Sequence, residues 1–437
     1  MTRIIKQDFP SYLIWSFGFL IAFSINLFVG LNTDTFPDGV IYYEQAIEIK
    51  KYLFQKQFEE SKIQLPIGIS LILLVFSFLP INEILLFKLF QCGLYGVYLL
   101  LVNQVLKNLQ LQKSLQNIIL CLIAIDPFTL SFVTGVQSEM FAACAILIWI
   151  NIYLSSGKNP TWTRITAFSH LFSVFVVICR PNYFLVYVVF LLFFIATRSS
   201  KARLRETRRV AKWFLIPLAV FHIFTYFLYQ GFIFLSVNGP PNLYLSCQDY
   251  LLPQITGIAS SQENQDINTR YFRELKNFDL EALENSSVYQ RYKRWRSQSV
   301  SSCMQNLDGA LSMYLLRLLL IWRPFVNFGS QSYEVFLISL LFGICLLVGF
   351  IWFIVFGRRF ASTRELHSIT IITATAFAFS VLPSAFQIRH KIAGFESVQW
   401  ICLGVFLNHL LLHYKGETLK RSREFVLRIR KGRLWVQ

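Results

Sequence analysis

Charged side chains are scarce in this chain. Asp, Glu, Lys and Arg together make up 15% of its 437 residues, against about 25% in average soluble domains. Residues of the apolar and aromatic types make up 55%, with 44 Phe and a mean hydropathy of +0.50. This composition excludes a water-soluble globule as the main body of the chain and indicates a membrane protein.

The signatures of several other protein classes are also missing. No Cys-x-x-Cys pair or His-rich run supports a zinc site, and we find no internal repeat. The net charge of +17 does not indicate nucleic-acid binding, because the basic residues cluster between apolar runs rather than in a soluble patch. The first apolar run, 10–31, is too long for a signal peptide and lacks a small-residue cleavage site, so we expect it to be retained.

Apolar runs recur from Phe9 to Tyr414 and predict an all-α bundle of about ten or eleven transmembrane helices. The predicted spans include 84–106, 114–134, 137–154 and 333–356, with a half-turn break at Asp126-Pro127. By the positive-inside rule, the basic segments 198–212, 358–364 and 415–437 are cytoplasmic. The predicted organisation is listed in chain order: a transmembrane module 1–235 with a first outer loop at 32–62, an outer segment 236–308 that is a candidate lid, further transmembrane helices in 309–414, and a basic tail 415–437. The charge mix and aromatic spacing of the outer segment predict amphipathic helices that lie over the outer face.

The number of spans between the first outer loop and the basic segment at 198 must be odd, but six apolar segments lie there. Either 63–80, bracketed by Pro66 and Pro80, is a re-entrant or incomplete span, or 165–197 is one long helix bent at Pro181. We favour the first interpretation, because the second would move Glu139 to the inside.

Six of the eight cysteines lie in apolar spans, where cysteine is usually a small apolar residue. Cys247 and Cys303 are the two in the outer segment, and an oxidising exterior would allow them to form a disulfide. The cysteine count does not determine their geometry, so two free thiols are the alternative.

Two aspartates, Asp34 and Asp38, follow directly after the first apolar run. Asp38, Tyr42 and Ala46 share one face of a predicted juxtamembrane helix, since residues four apart lie on the same side. A carboxylate at this surface can act as a general base. Helix capping is the alternative role, and we assign the cap to Asp34 or Thr35 and catalysis to Asp38.

Glu139 begins a later span on the same predicted side of the membrane. A lone acid at a helix start interacts favourably with the helix dipole and needs no further role. Together with Asp38, however, it predicts a second wall of one site.

Five basic residues near predicted span ends are candidates for binding a phosphate. Arg389, His390 and Lys391 cluster in an outer turn, where the planar guanidinium of arginine matches phosphate oxygens. Snorkelling of cations at the membrane interface is the alternative. Arg180 and Arg323 are secondary candidates, because cations near span ends that face a bundle are usually paired or functional.

The order of these features resembles the GT-C superfamily of integral-membrane glycosyltransferases, which includes protein O-mannosyltransferases and lipid A aminoarabinose transferases. The resemblance covers nearly the whole chain and rests on these segments: PDGVIYYEQA, LPIGISLILLVFSFLPIN, DPFTLSFVTGVQSEMFA, ICRPNYFL, the outer segment 236–308 and QIRHKIAGFESVQW. It implies a GT-C-like bundle with outer juxtamembrane helices. It also implies transfer of a sugar, with inversion, from a polyprenyl- or dolichyl-phosphate donor on the non-cytoplasmic side.

In this family a first-loop acid serves as base or binds the acceptor, and that role falls on Asp38. Our hypothesis adds that Glu139 aids acceptor binding and that Arg389 holds the donor phosphate. The first loop lacks an Asp-Glu or Asp-x-Asp pair, so the metal dependence of some relatives is not carried over and no metal site is assigned. The rest of the expected substrate site is Asp34, Tyr42, Arg180, Arg323, His390 and Lys391.

The expected partners are the lipid donor and membrane lipids, and the plasma membrane is favoured over the endoplasmic reticulum. A transporter or flippase of lipid-linked saccharides is the alternative, since the same acids and cations would line its pathway. The absence of a two-fold hydropathy repeat and of matching broken helices counts against it. A noncatalytic membrane scaffold is a third possibility.

Overall fold

The chain folds into packed α-helices. The computed structural model describes residues 11–31, 37–56, 63–155, 162–197, 200–248, 287–320, 333–359, 363–381 and 395–414, together with parts of 251–273 and Trp322. The described chain is 85% helical and contains no strand, so the predicted all-α class is confirmed.

The first half of the helices runs as follows: α1 (Ser11–Val29), α2 (Pro37–Gln55), α3 (Gly68–Phe76), α4 (Glu83–Asn108), α5 (Lys113–Ala124), α6 (Pro127–Ser131), α7 (Glu139–Ser155), α8 (Trp162–Cys179) and α9 (Tyr183–Ala196). The second half is α10 (Ser200–Val210), α11 (Ile216–Tyr229), α12 (Gly239–Ser246), α13 (Leu252–Thr256), α14 (Val288–Gln305), α15 (Leu307–Leu320), α16 (Tyr333–Phe356), α17 (Arg364–Val381) and α18 (Phe395–Tyr414). A π-helical turn, Ala211–Leu215, joins α10 to α11.

Five helices in the described chain are long and apolar enough to span a membrane. Their ranges are Tyr12–Val29, Glu83–Asn108, Ala202–Tyr229, Phe336–Arg359 and Phe395–Tyr414. Five shorter apolar helices of 10–17 residues accompany them. The chain is therefore an α-helical membrane protein, and the count of about ten or eleven spans stays a prediction.

Helix α4 forms the centre of the bundle, packing against α1 on one side and α7 on the other. Glycines in α4 allow the backbone of α1 to approach closely. A Cβ on Gly96 would lie 2.6 Å from Cδ1 of Trp15, and the Trp15 indole donates to the carbonyl of Gly93 over 3.1 Å. Small residues thus determine where the first two long helices meet.

The segment 63–80 contains only α3, which has nine residues and a length of about 14 Å. A hydrocarbon core is about 30 Å thick, so α3 is too short to cross it, as the incomplete-span interpretation requires. The alternative, one long helix over 165–197, is wrong. His170 Nδ1 lies 2.6 Å from the hydroxyl of Tyr187, whereas 17 residues of continuous helix would separate them by about 25 Å.

The predicted span at 114–134 is not one continuous helix, because it breaks inside the bundle at the predicted Asp126-Pro127 position. Tyr95, in the middle of α4, has its hydroxyl 3.1 Å from the carbonyl oxygens of Ile123 and Ala124, so α5 ends about half way along α4. Proline disfavours the helical conformation of the residue before it, and Asp126 directly precedes Pro127. The broken segment lies in the core, where Asp126 is fully buried.

Contacts between helix ends define two ends of the bundle. At the first, which we call the basic end, Asn108 contacts Ser155 (3.1 Å) and Asn408 contacts the backbone of Gln112 (3.0 Å). Described cations collect there: Lys107, Lys113, Arg203, Arg205, Arg208, Arg209, Lys212, Arg358 and Arg359. The positive-inside rule predicts that this end is cytoplasmic.

The opposite end, which we call the Glu139 end, brings together the last residues of α1 and α8 and the first residues of α4 and α7. Lys88 donates to the carbonyl of Gly30 over 2.7 Å, and Gln91 donates to the carbonyl of Gln137 over 2.6 Å. Charged and amide side chains are therefore concentrated where these four helix ends converge.

The described part of the outer segment packs on the same side. Helix α14 begins with a capping box between Ser287 and Gln290. Its buried residues Val288, Arg291, Trp295 and Ser299 follow a helical stripe, so the predicted amphipathic helix is confirmed. Arg291 donates to the carbonyl of Ile63 over 2.7 Å, which ties α14 to the chain just before α3.

Candidate functional site at the Glu139 end

Glu139 and Arg180 form a buried ion pair. Glu139 is the first residue of α7, and Arg180 follows the last residue of α8, so the antiparallel packing of these helices places the two side chains together. Arg180 Nη2 lies 3.0 Å from Glu139 Oε1, and the side chains are 8% and 0% exposed. Tyr183, fully buried in the first turn of α9, lies beside Arg180 and donates its backbone N–H to the carbonyl of Arg180 over 3.0 Å. Because both side chains are buried away from water, each charge is stabilised by the other.

Part of the Arg180 guanidinium is not used by this pair. Its Nη1 atom is buried and makes no hydrogen bond within the described chain. Guanidinium groups bind carboxylates and phosphates through two parallel N–H donors. Arg180 therefore presents a further donor for an anionic group.

Buried amides lie next to this pair. Gln137 is fully buried, and neither its Oε1 nor its Nε2 makes a hydrogen bond in the described part of the chain. Gln91, also fully buried, uses its Nε2 on the backbone of Gln137, while its Oε1 has no partner there. Leaving a buried polar atom without a partner costs about 1–3 kcal/mol. Such atoms are suited to hydrogen-bonding a polar ligand.

Asp38 lies in the first turn of α2 and is half-buried. Tyr42 and Ala46 are buried at 6% and 5% exposure, so the predicted stripe faces the protein. Gln45 attaches α2 to the chain before α3: its Oε1 accepts from the backbone N–H of Leu65 over 2.6 Å.

Helix α3 in turn touches α8 beside Arg180. A Cβ on Gly68 would lie 2.9 Å or less from the backbone N and Cα of Cys179. The helix that carries Asp38 is thus connected to Arg180 through two successive packing contacts, α2 on the chain around α3 and α3 on α8.

The remaining predicted site residues have different outcomes. Asp34, Arg323, Arg389, His390 and Lys391 lie outside the described residues. Cys247 and Cys303 form a disulfide with a Cα–Cα distance of 5.6 Å, which links α12 to α14.

Sequence reasoning missed the role of the amides. Gln137 and Gln91 were visible as polar residues near apolar runs, but only the fold shows that both are buried beside one loop. It also missed a second buried cluster at the basic end, where His170 contacts Tyr187 and Glu206. The signal there was a lone histidine within an apolar helix and a lone acid within a basic one.

Comparison of the chain with protein-family models, with curated proteins and with solved structures found no match in any of the three. The fold and the Glu139 end define an α-helical integral membrane protein with a buried polar site at the end opposite its basic segments. Any more specific function therefore has to be argued from that site.

Proposed function

We propose that this protein is a membrane glycosyltransferase that moves a sugar from a polyprenyl- or dolichyl-phosphate donor to an acceptor on the non-cytoplasmic side. The observation that carries the proposal is the buried Arg180, which is held by Glu139 and has a further guanidinium nitrogen available. This is the chemistry that a phosphate in a membrane-embedded site requires.

The reaction is a single displacement at the anomeric carbon. The acceptor hydroxyl oxygen forms a bond to that carbon while the bond from the carbon to the phosphate oxygen breaks, and the electron pair goes to the phosphate. The hydroxyl proton passes to the carboxylate of Asp38, which acts as general base. Attack opposite the leaving phosphate inverts the configuration.

Arg180 stabilises the negative charge that develops on the departing phosphate. Glu139 orients the guanidinium, a role that fits its complete burial better than direct contact with an acceptor. Gln91 and Gln137 offer amide donors and acceptors for sugar hydroxyls. Arg389, His390 and Lys391 keep their assignment as additional phosphate ligands.

The test uses the purified protein in liposomes with a panel of polyprenyl-phosphate-linked hexoses, and measures the release of polyprenyl phosphate. Asp38→Asn should lower turnover by about a hundredfold or more, since it removes the base. The matched control is Glu44→Gln, which removes another acid from the same helix and should leave turnover near the wild-type rate.

Near-normal turnover by Asp38→Asn would refute the assignment of the base. If the wild-type protein releases no polyprenyl phosphate but carries a labelled lipid-linked saccharide between leaflets, the transporter alternative is correct. If it does neither with any member of the panel, the enzymatic proposal is wrong.

A further inference from the structure

We propose that a groove along α10, at the basic end, binds the phosphate headgroup of an anionic phospholipid of the cytoplasmic leaflet. We call it the α10 groove. It is an open surface depression, and its lining residues are Leu204, Arg205, Arg208, Arg209, Lys212 and Trp213. This site is separate from the Glu139 end and does not depend on the glycosyltransferase proposal.

The groove lies at the depth of lipid headgroups. Helix α10 continues through the π-helical turn into α11, and Ala202–Tyr229 is one of the helices long and apolar enough to span a membrane. Trp213 marks the change from basic to apolar residues, as aromatic residues do at membrane interfaces. Directly after it, Leu215 and Ile216 are 54% and 58% exposed and suited to contact acyl chains.

The cations of the groove are not neutralised within the described chain. Arg205, Arg208 and Lys212 are exposed, and none of them forms an ion pair there. The one acid of α10 is Glu206, and its carboxylate is already engaged by His170 and Arg209. The groove therefore carries an excess of positive charge facing an anionic leaflet.

A buried contact sets the orientation of these cations. Glu206 and His170 are 5% and 6% exposed, and His170 Nε2 lies 2.8 Å from Glu206 Oε1. A carboxylate only accepts, so Nε2 carries the proton and donates to it. Arg209 binds the other carboxylate oxygen over 3.0 Å. The contact between Glu206 and His170 thus determines which side of α10 faces α8.

Helical spacing then places the cations together. Positions 205 and 208 are three residues apart and lie on one side of α10, away from Glu206. Lys212 follows in the π-helical turn and lines the same groove. Two arginines provide planar forks that match phosphate oxygens, and Lys212 adds a point charge 5.2 Å from the ring centre of Trp213. The exposed side chain of Leu204 makes an amphipathic lipid a better occupant than a free phosphate ion.

The experiment measures lipid selectivity of the full chain in phosphatidylcholine vesicles, using spin-labelled phosphatidylglycerol and spin-labelled phosphatidylcholine as probes. The readout is the fraction of each label that the protein immobilises. The test variant is Arg205→Gln/Arg208→Gln. The matched control is Arg358→Gln/Arg359→Gln, which removes two exposed cations from the same end of the bundle. A further arm adds inorganic phosphate to the wild-type sample.

We expect the wild-type protein to bind phosphatidylglycerol in preference to phosphatidylcholine. In the test variant this selectivity should be about tenfold lower, whereas the control variant should retain it. Equal selectivity for the two lipids in the wild-type protein would overturn the proposal. So would an equal loss in the two double variants, which would indicate surface charge without a site. Displacement of the lipid label by inorganic phosphate would identify a free phosphate ion as the ligand instead.

Discussion

Arg180 Nη2 lies 3.0 Å from Glu139 Oε1, although the two residues are 41 positions apart in the chain. Glu139 begins α7, Arg180 directly follows the end of α8, and these two helices run antiparallel. The contact therefore joins α7 and α8 at the Glu139 end, at the place where the buried amides also lie.

The ion pair predicts a strong coupling between its two partners. Glu139→Gln leaves the buried guanidinium without its carboxylate and should destabilise the protein by about 3–5 kcal/mol. Glu139→Gln/Arg180→Gln should cost less than the sum of the single changes, because it leaves no buried charge. Melting temperatures of the detergent-solubilised variants measure this coupling. Strictly additive losses would mean that the pair contributes no interaction energy.

Gln137→Leu should have opposite effects on stability and on activity. The substitution removes two buried polar atoms that make no hydrogen bond in the described chain, so the melting temperature should rise, by the equivalent of about 1–3 kcal/mol. Sugar transfer should fall, because the amide of Gln137 would no longer be available to hydrogen-bond the sugar of the lipid-linked substrate.

The matched control for Gln137 is Gln116→Leu, at the basic end. The Gln116 amide donates to the carbonyl of Leu111 over 2.7 Å, while its Oε1 is buried without a hydrogen bond in the described chain. Losing the bond offsets removing that atom, so stability should rise less than in Gln137→Leu, and transfer per folded molecule should stay unchanged. Unchanged transfer in Gln137→Leu would remove this residue from the site.

Gly68→Ala should disturb the connection between α3 and α8. The new Cβ would lie 2.8 Å from the backbone N of Cys179, and the overpacking should cost about 1–3 kcal/mol. Because Arg180 is the next residue, turnover should fall as well. Gly239→Ala is the control, since nothing lies within 4 Å of its Cβ. A melting temperature of Gly68→Ala equal to that of the wild-type protein would contradict this packing.

The disulfide provides a test of orientation. In intact cells a membrane-impermeant thiol reagent should label Cys247 and Cys303 only after reduction, because the outer segment is predicted to be external. Arg359→Cys, at the basic end, should react only after lysis. If labelling of Cys247 and Cys303 also requires lysis, the outer segment lies on the cytoplasmic side and the predicted topology is wrong. Labelling without reductant would contradict the disulfide.

Much of the fold could be predicted because its signals are local. Apolar runs predicted the helical class, and their boundaries agree closely for α4, α7 and α16. Within the run at 114–134, the Asp126-Pro127 pair signals the helix break that hydropathy alone does not register. The candidate site was predicted less completely, since the burial of Gln91 and Gln137 depends on which helices surround them.

By itself the sequence determined that this protein is helical, that it belongs in a membrane and which of its segments are basic, because composition and hydrophobic runs act over distances of a few residues. Only the tertiary structure decided that Glu139 meets Arg180, that Asp126 lies in the core and that Glu206 of a basic helix is buried against His170. The physical reason is that such pairs depend on which helix ends pack together, and packing partners are distant in the chain.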